Sequence, residues 1–194
     1  MSLRRQSSII VSITLAATSL LAQAPAPRKS PELSITKPSG EDLLLSSFKG
    51  KVVVMEFMFV ASSHCLQLAE MLNKLQADLG SRGFQAVAVA FGPNSDIAMV
   101  GHVVERLHLT YPVGDTTSEN VDTYLGRQGK EQLKIPQLIV IDRKGFIRAT
   151  TGTGNPTLED EALIRVILEP LLKEPPPSAN AAHATPAPKK NGQS

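Results

Sequence analysis

Val52-Val53-Val54-Met55-Glu56-Phe57-Met58-Phe59-Val60-Ala61-Ser62-Ser63-His64-Cys65 is an apolar run that ends in a short polar turn. Beyond the turn the apolar spacing becomes helical: Leu66, Ala69, Leu72, Leu75 and Leu79 fall on one stripe that stops at Gly80. A continuous apolar strand is the mark of one covered on both faces. The strand, turn and helix together place Cys65 at a helix N-terminus, where backbone N–H groups and the helix dipole favour a thiolate. It is the single cysteine among 194 residues.

Working outward, Leu33 and Ile35 alternate within 31–36, Lys37-Pro38-Ser39-Gly40 turns, and 43–45 answers, which predicts a β-hairpin. Residues 84–91 read as a second buried strand, and 94–107 as a helix with Ile97, Val100, Val104 and Leu107 inward. A short strand is expected over 110–113 and a short helix over 120–125, stopped by Gly126. Ile135-Pro136-Gln137-Leu138-Ile139-Val140-Ile141-Asp142-Arg143-Lys144-Gly145 reads as a buried strand opened by a proline and closed by a turn. The chain then runs into a strand over 146–151 and a last helix from Thr157 or Leu158 to Leu172, with Glu159, Asp160 and Glu161 in its first turn. Strands alternating with helices in this order give a mixed central sheet flanked by helices.

The two apolar segments together resemble the thioredoxin superfamily, above all its extracytoplasmic thiol–disulfide reductases of the TlpA/ResA type. Those carry Phe-Trp-Ala-x-Trp-Cys-x-x-Cys and, later, a proline before an apolar strand that ends in Asp. The resemblance covers about residues 31–172 and implies a thioredoxin-like three-layer α/β sandwich with an N-terminal β-hairpin. It also implies a cis peptide bond before Pro136, with the backbone of Ile135 free to pair with an extended substrate chain. An ordinary trans proline at a strand edge is the alternative.

The departures matter as much. Ser62 stands where the family has its attacking cysteine, Cys65 is the resolving one, and Met58 and Ala61 replace both tryptophans. The motif reads Ser62-Ser63-His64-Cys65, so the family's dithiol cycle cannot run within this chain. The segment 93–115 is similar to the broader redoxins, including the AhpC/TSA group. Ser62-x-x-Cys65 also matches the second half of the peroxiredoxin Pro-x-x-x-Thr/Ser-x-x-Cys motif, but Met58 takes the proline position. The chain lies between these two branches.

Two readings of Cys65 stand side by side. It is either a half-buried small apolar residue, or the redox group itself, forming mixed disulfides or a sulfenic acid. Ser62 is read as helix N-cap or as hydrogen-bond donor to a Cys65 thiolate. It sits in no Gly-x-Ser-x-Gly elbow, and a serine hydrolase is set aside. Glu56 holds the position of the family's buried proton-shuttling carboxylate, and a carboxyl in an apolar strand has a raised pKa. The alternative is a carboxylate that reaches solvent or Lys51. His64 either tunes Cys65 or is an exposed histidine at the helix start. No other histidine pairs with Cys65 at a metal-ligand spacing, and Ala61 breaks the Cys-x-x-x-Cys of copper-handling relatives. No cofactor is implied. The substrate class implied is protein or small-molecule thiols and disulfides, or peroxides.

Residues 1–24 carry Arg4 and Arg5, an uncharged apolar stretch over 7–21, and Ala22-Gln23-Ala24, which is a secretory signal pattern. Pro25 is a poor residue after that cleavage site, so an uncleaved N-terminal anchor is the alternative. Either reading sends the protein to the periplasm or the exterior, with a membrane contact only through that segment. Residues 25–30 read as a linker, 31–173 as one redoxin domain, and 174–194, rich in Pro, Ala, Asn, Ser and Lys, as a disordered tail. The formal charge of +2 falls close to zero without Arg4 and Arg5, and no basic face points to nucleic acid.

Overall fold

The structure, a computed structural model, describes residues 27–92, 95–127, 133–151 and 156–177. The elements run β1 (Arg28–Lys29), β2 (Ser34–Thr36), β3 (Asp42–Leu44), β4 (Val52–Met58), α1 (Ser63–Leu79), β5 (Phe84–Ala90), α2 (Ile97–Leu107), β6 (Val113–Asp115), α3 (Ser118–Leu125), β7 (Gln137–Ile141), β8 (Phe146–Thr150) and α4 (Glu161–Lys173). Eight strands form one sheet in the order β1-β8-β7-β4-β5-β6-β2-β3. β4, β5 and β6 are parallel, and every other pairing is antiparallel. This is the thioredoxin-like arrangement with its N-terminal hairpin, β2 and β3, joined to the far edge.

β4 and β5 are buried along their whole length. Alternation sends Val52, Val54 and Met58 to one face, packed with α1, α2 and α4, and Val53, Met55 and Phe57 to the other, packed with α3 and the hairpin segment. Each face buries its own apolar cluster, so the sheet is the middle of three layers. Phe57 anchors the second cluster edge-to-face against Tyr124 and Phe91.

At the pole opposite the start of α1, the buried Arg143 guanidinium donates to the carbonyls of Gly50, Arg82 and Leu172. It ties the entry to β4, the turn after α1 and the end of α4 to one side chain. That side chain fits because Gly83 has no Cβ: one added there would lie 2.5 Å from the guanidinium, and the residue sits at φ +87°.

Several boundaries differ from the sequence expectations, each for a local reason. Arg28 and Lys29, read as linker, pair with Ile147 and Phe146 because β8 offers an open edge there. The strand expected over 110–113 begins at Val113 instead, since Pro112 has no N–H for the ladder. α2 starts at Ile97, where Asp96 accepts from the Met99 N–H. The last helix starts at Glu161 because Asp160 caps the N–H groups of Ala162 and Leu163, while 156–159 form a separate 3₁₀ turn. Residues 1–24 and 178–194 lie outside the described residues, as do 25 and 26 of the expected linker. Among the described residues no helix is long and apolar enough to cross a membrane.

Candidate functional site

α1 begins where the central strand β4 ends, so the sheet itself aims the helix N-terminus. Ser62 is the N-cap, and its hydroxyl oxygen accepts from the Cys65 N–H at 3.4 Å. Cys65 lies in the first turn, and its side chain is turned inward, with 0% of the residue exposed. It joins the cluster of α1, α2 and α4, against which Ile135 also packs.

The thiol feels opposed influences. Burial is the largest and pushes its pKa up. Hydrogen bonds from the Ser62 hydroxyl and the Phe59 backbone pull it down, and the nearby Glu56 carboxylate pushes it up again. Burial prevails, so the resting group is a neutral thiol rather than a thiolate.

Glu56 lies mid-strand on β4, opposite Ala88 and Leu138, and is 0% exposed. By alternation it shares the face of Val54 and Met58, the Cys65 side of the sheet. Neither carboxyl oxygen has a hydrogen-bond partner among the described residues. Burial alone holds its pKa well above the carboxylate range. The carboxyl therefore reaches neither solvent nor Lys51, whose ammonium donates to Gln85 at 2.8 Å.

Tyr111 completes this interior group and was not found in the sequence. It is 5% exposed, and its hydroxyl donates to the Ala69 carbonyl of α1 at 3.1 Å. Burial and the Glu56 charge push its pKa well up. A tyrosine between Thr110 and Pro112 carries no periodic signal, so spacing alone could not have placed it.

His64 stands outside this group. Its Nε2 lies 3.2 Å from Glu159 Oε2, linking the first turn of α1 to the 3₁₀ turn before α4. It is not among the groups that act on the Cys65 thiol. Pro136 is buried at the head of β7, the Ile135–Pro136 bond is cis, and Ile135 is half-buried. Among the described residues the backbone N–H and C=O of Ile135 enter no hydrogen bond. Phe59 is 39% exposed and rests on Phe91 at 4.9 Å between ring centroids, an apolar surface just ahead of the Ser62 turn. No group of three or more His, Cys, Asp or Glu side chains among the described residues could hold a metal.

The AhpC/TSA family matches residues 26–150. The chain belongs to the AhpC/TSA family. Its members are thiol oxidoreductases, and this redoxin shares its fold with thiol:disulfide interchange proteins. A thioredoxin-family thiol:disulfide interchange protein from Chlorobium tepidum superposes with a TM-score of 0.63 at 23% identity, over 75% of this chain and 97% of that one. A thiol:disulfide interchange protein from a Bacteroides species gives 0.61 at 20% identity, over 81% and 94%. The thioredoxin domain of a thiol-disulfide oxidoreductase from Bacteroides vulgatus gives 0.61 at 20%, over 74% and 95%. At these identities the likeness is one of fold. No curated protein matches the chain.

Proposed function

We propose that this redoxin works outside the cytoplasm by engaging thiol- or disulfide-bearing partner chains along the Ile135–Pro136 edge, with Cys65 held as a buried neutral thiol of low reactivity. One observation carries the reading: the sulfur has 0% exposure, and burial outweighs the hydrogen bonds that would ionise it. Reactive cysteines sit in partly exposed, electropositive surroundings. Cys65 instead has a carboxyl group beside it and no cation among the groups acting on it. The backbone of Ile135, unbonded among the described residues, offers an extended chain one donor and one acceptor. Export rests on the pattern of residues 1–24.

A second reading has its own support. The Ser62 hydroxyl and the Phe59 backbone both act on the thiol in the direction that favours its charged form, an influence that counts for more once burial is relieved. Cys65 would then reduce a peroxide, becoming a sulfenic acid and releasing an alcohol or water. One external thiol would convert the sulfenic acid to a mixed disulfide, releasing water, and a second would return the thiol.

One titration separates the two. With a chromogenic disulfide reagent, the native protein is expected to react about 100-fold more slowly than the protein in denaturant, because only transient opening exposes the sulfur. Equal rates would remove the first reading in favour of the second. The Cys65→Ala variant is expected to keep partner binding, and lost binding with a retained fold would have the same consequence.

A further inference from the structure

At the pole opposite the start of α1, a cavity of about 250 Å³ opens between β1, the 3₁₀ turn after β3 and the β7–β8 turn, and Lys29, Lys49, Lys51 and Lys144 all line it. We propose that this cavity binds a phosphate-bearing anion, with the headgroup of an anionic phospholipid as its source.

The charge pattern makes the case. Elsewhere the described cations are mostly matched: Lys37 with Glu41, Lys74 with Glu161, Arg82 with Glu169, Arg148 with Asp142, and Arg165 with Asp78. None of the four cavity lysines is in an ion pair among the described residues, yet they share one concavity. Like charges gathered in this way repel unless an anion joins them. Of the two acids in the lining, Glu32 lies within electrostatic reach of Lys49 and offsets part of this charge, while Asp142 is paired with Arg148, so a surplus of cations remains. Glu32 Oε1 accepts from the backbone N–H groups of Leu33 and Ser46. Asp142 is 3% exposed, with one oxygen on the N–H groups of Lys144 and Phe146 and the other on Arg148.

The floor is apolar, formed by Leu45, Phe48 and Val53, and the Lys51 ammonium lies 5.9 Å from the centre of the Phe48 ring. A bare inorganic ion would leave that floor unused. A headgroup places its phosphate among the ammonium groups and its glycerol and first methylenes on Phe48. In the sequence Lys29 follows the uncharged apolar stretch of residues 7–21. On the reading in which that segment stays as an N-terminal anchor, a basic cluster close behind it in the chain suits an anionic membrane surface.

The test uses the full chain with three soluble probes: monomeric dihexanoyl phosphatidylglycerol, dihexanoyl phosphatidylcholine and inorganic phosphate, each titrated by calorimetry at low and at moderate salt. Phosphatidylglycerol is expected to bind more tightly than either other probe, and more weakly as salt rises. The charge-reversed pair Lys49→Glu and Lys144→Glu is expected to weaken that binding by about tenfold or more, with the circular dichroism spectrum and Tm unchanged, since both side chains are exposed. Equal binding of the two lipids, unaltered binding in the variant, or no binding would overturn the proposal. Inorganic phosphate binding as tightly as phosphatidylglycerol would overturn the headgroup assignment.

Discussion

A carboxyl group whose two oxygens find no partner in the interior costs stability whenever it ionises. In Glu56 burial raises the folded-state pKa well above the ordinary value of 4.5. The native protein therefore keeps a proton that the unfolded chain gives up, and stability falls as pH rises from about 4.5 toward the folded-state pKa. Glu56→Met keeps the volume and removes the charge. It is expected to stabilise the protein by about 1–3 kcal/mol at pH 8 and by much less at pH 4.5. Guanidinium unfolding at the two pH values checks this, and an equal effect at both, or a loss at pH 8, would refute it. The position of Glu56 was legible from its place in an apolar strand, as was that of Cys65 at a helix start. The depth of Cys65 was not, because it depends on side chains brought in from α2, α4 and the segment around Tyr111, all distant in sequence. The partner of His64 escaped for the same reason: Glu159 is 95 residues away in the chain.

At the scale of the element, α4 is held to α1 by polar contacts over an apolar seam. Ile164, Leu168, Leu171 and Leu172 face inward, while Lys74–Glu161 and Asp78–Arg165 bridge the two helices outside and Arg82–Glu169 ties the turn after α1 to α4. Exposed pairs of this kind contribute about 0–1 kcal/mol each, so the buried seam carries the packing. The helix also contains Pro170, an exposed residue in its last turns. Proline cannot donate to the carbonyl four residues back, here Val166, and its ring crowds that carbonyl. Pro170→Ala restores the bond, at the cost of a freer unfolded chain. The net expectation is a gain of about 1–2 kcal/mol, read as a higher urea midpoint with an unchanged slope. A lower midpoint would show that Pro170 shapes the end of α4 for a contact that a regular helix loses.

At the scale of the whole molecule, the sequence carried the central strands and the helix stripes because their periodicities are long and uninterrupted. It did not carry the edges, where pairing depends on what lies alongside: β1 exists because β8 is open, and β6 begins where Pro112 ends. The hairpin was readable as a unit, but its docking was not. It joins the sheet through a single residue pair, Thr36 with Asp115. The contact is close because the residue before Asp115 is Gly114, where an added Cβ would lie 2.4 Å from the Thr36 carbonyl oxygen and 2.7 Å from Ile35 Cγ2. Ile35 is 1% exposed, a main anchor of the cluster behind the sheet. Gly114→Ala therefore cannot be absorbed by a side-chain rotation; the backbone of β2 must move away from β6. The expected loss is about 1–3 kcal/mol, the usual cost of overpacking a tight interior. It should also be unevenly spread. Hydrogen exchange is expected to accelerate at Leu45, whose N–H bonds the Leu33 carbonyl, and at the β2–β3 amides, while β4 and β5 keep their protection. A uniform rise in exchange across β2 to β5 would instead mean that the hairpin and the central sheet open as one unit.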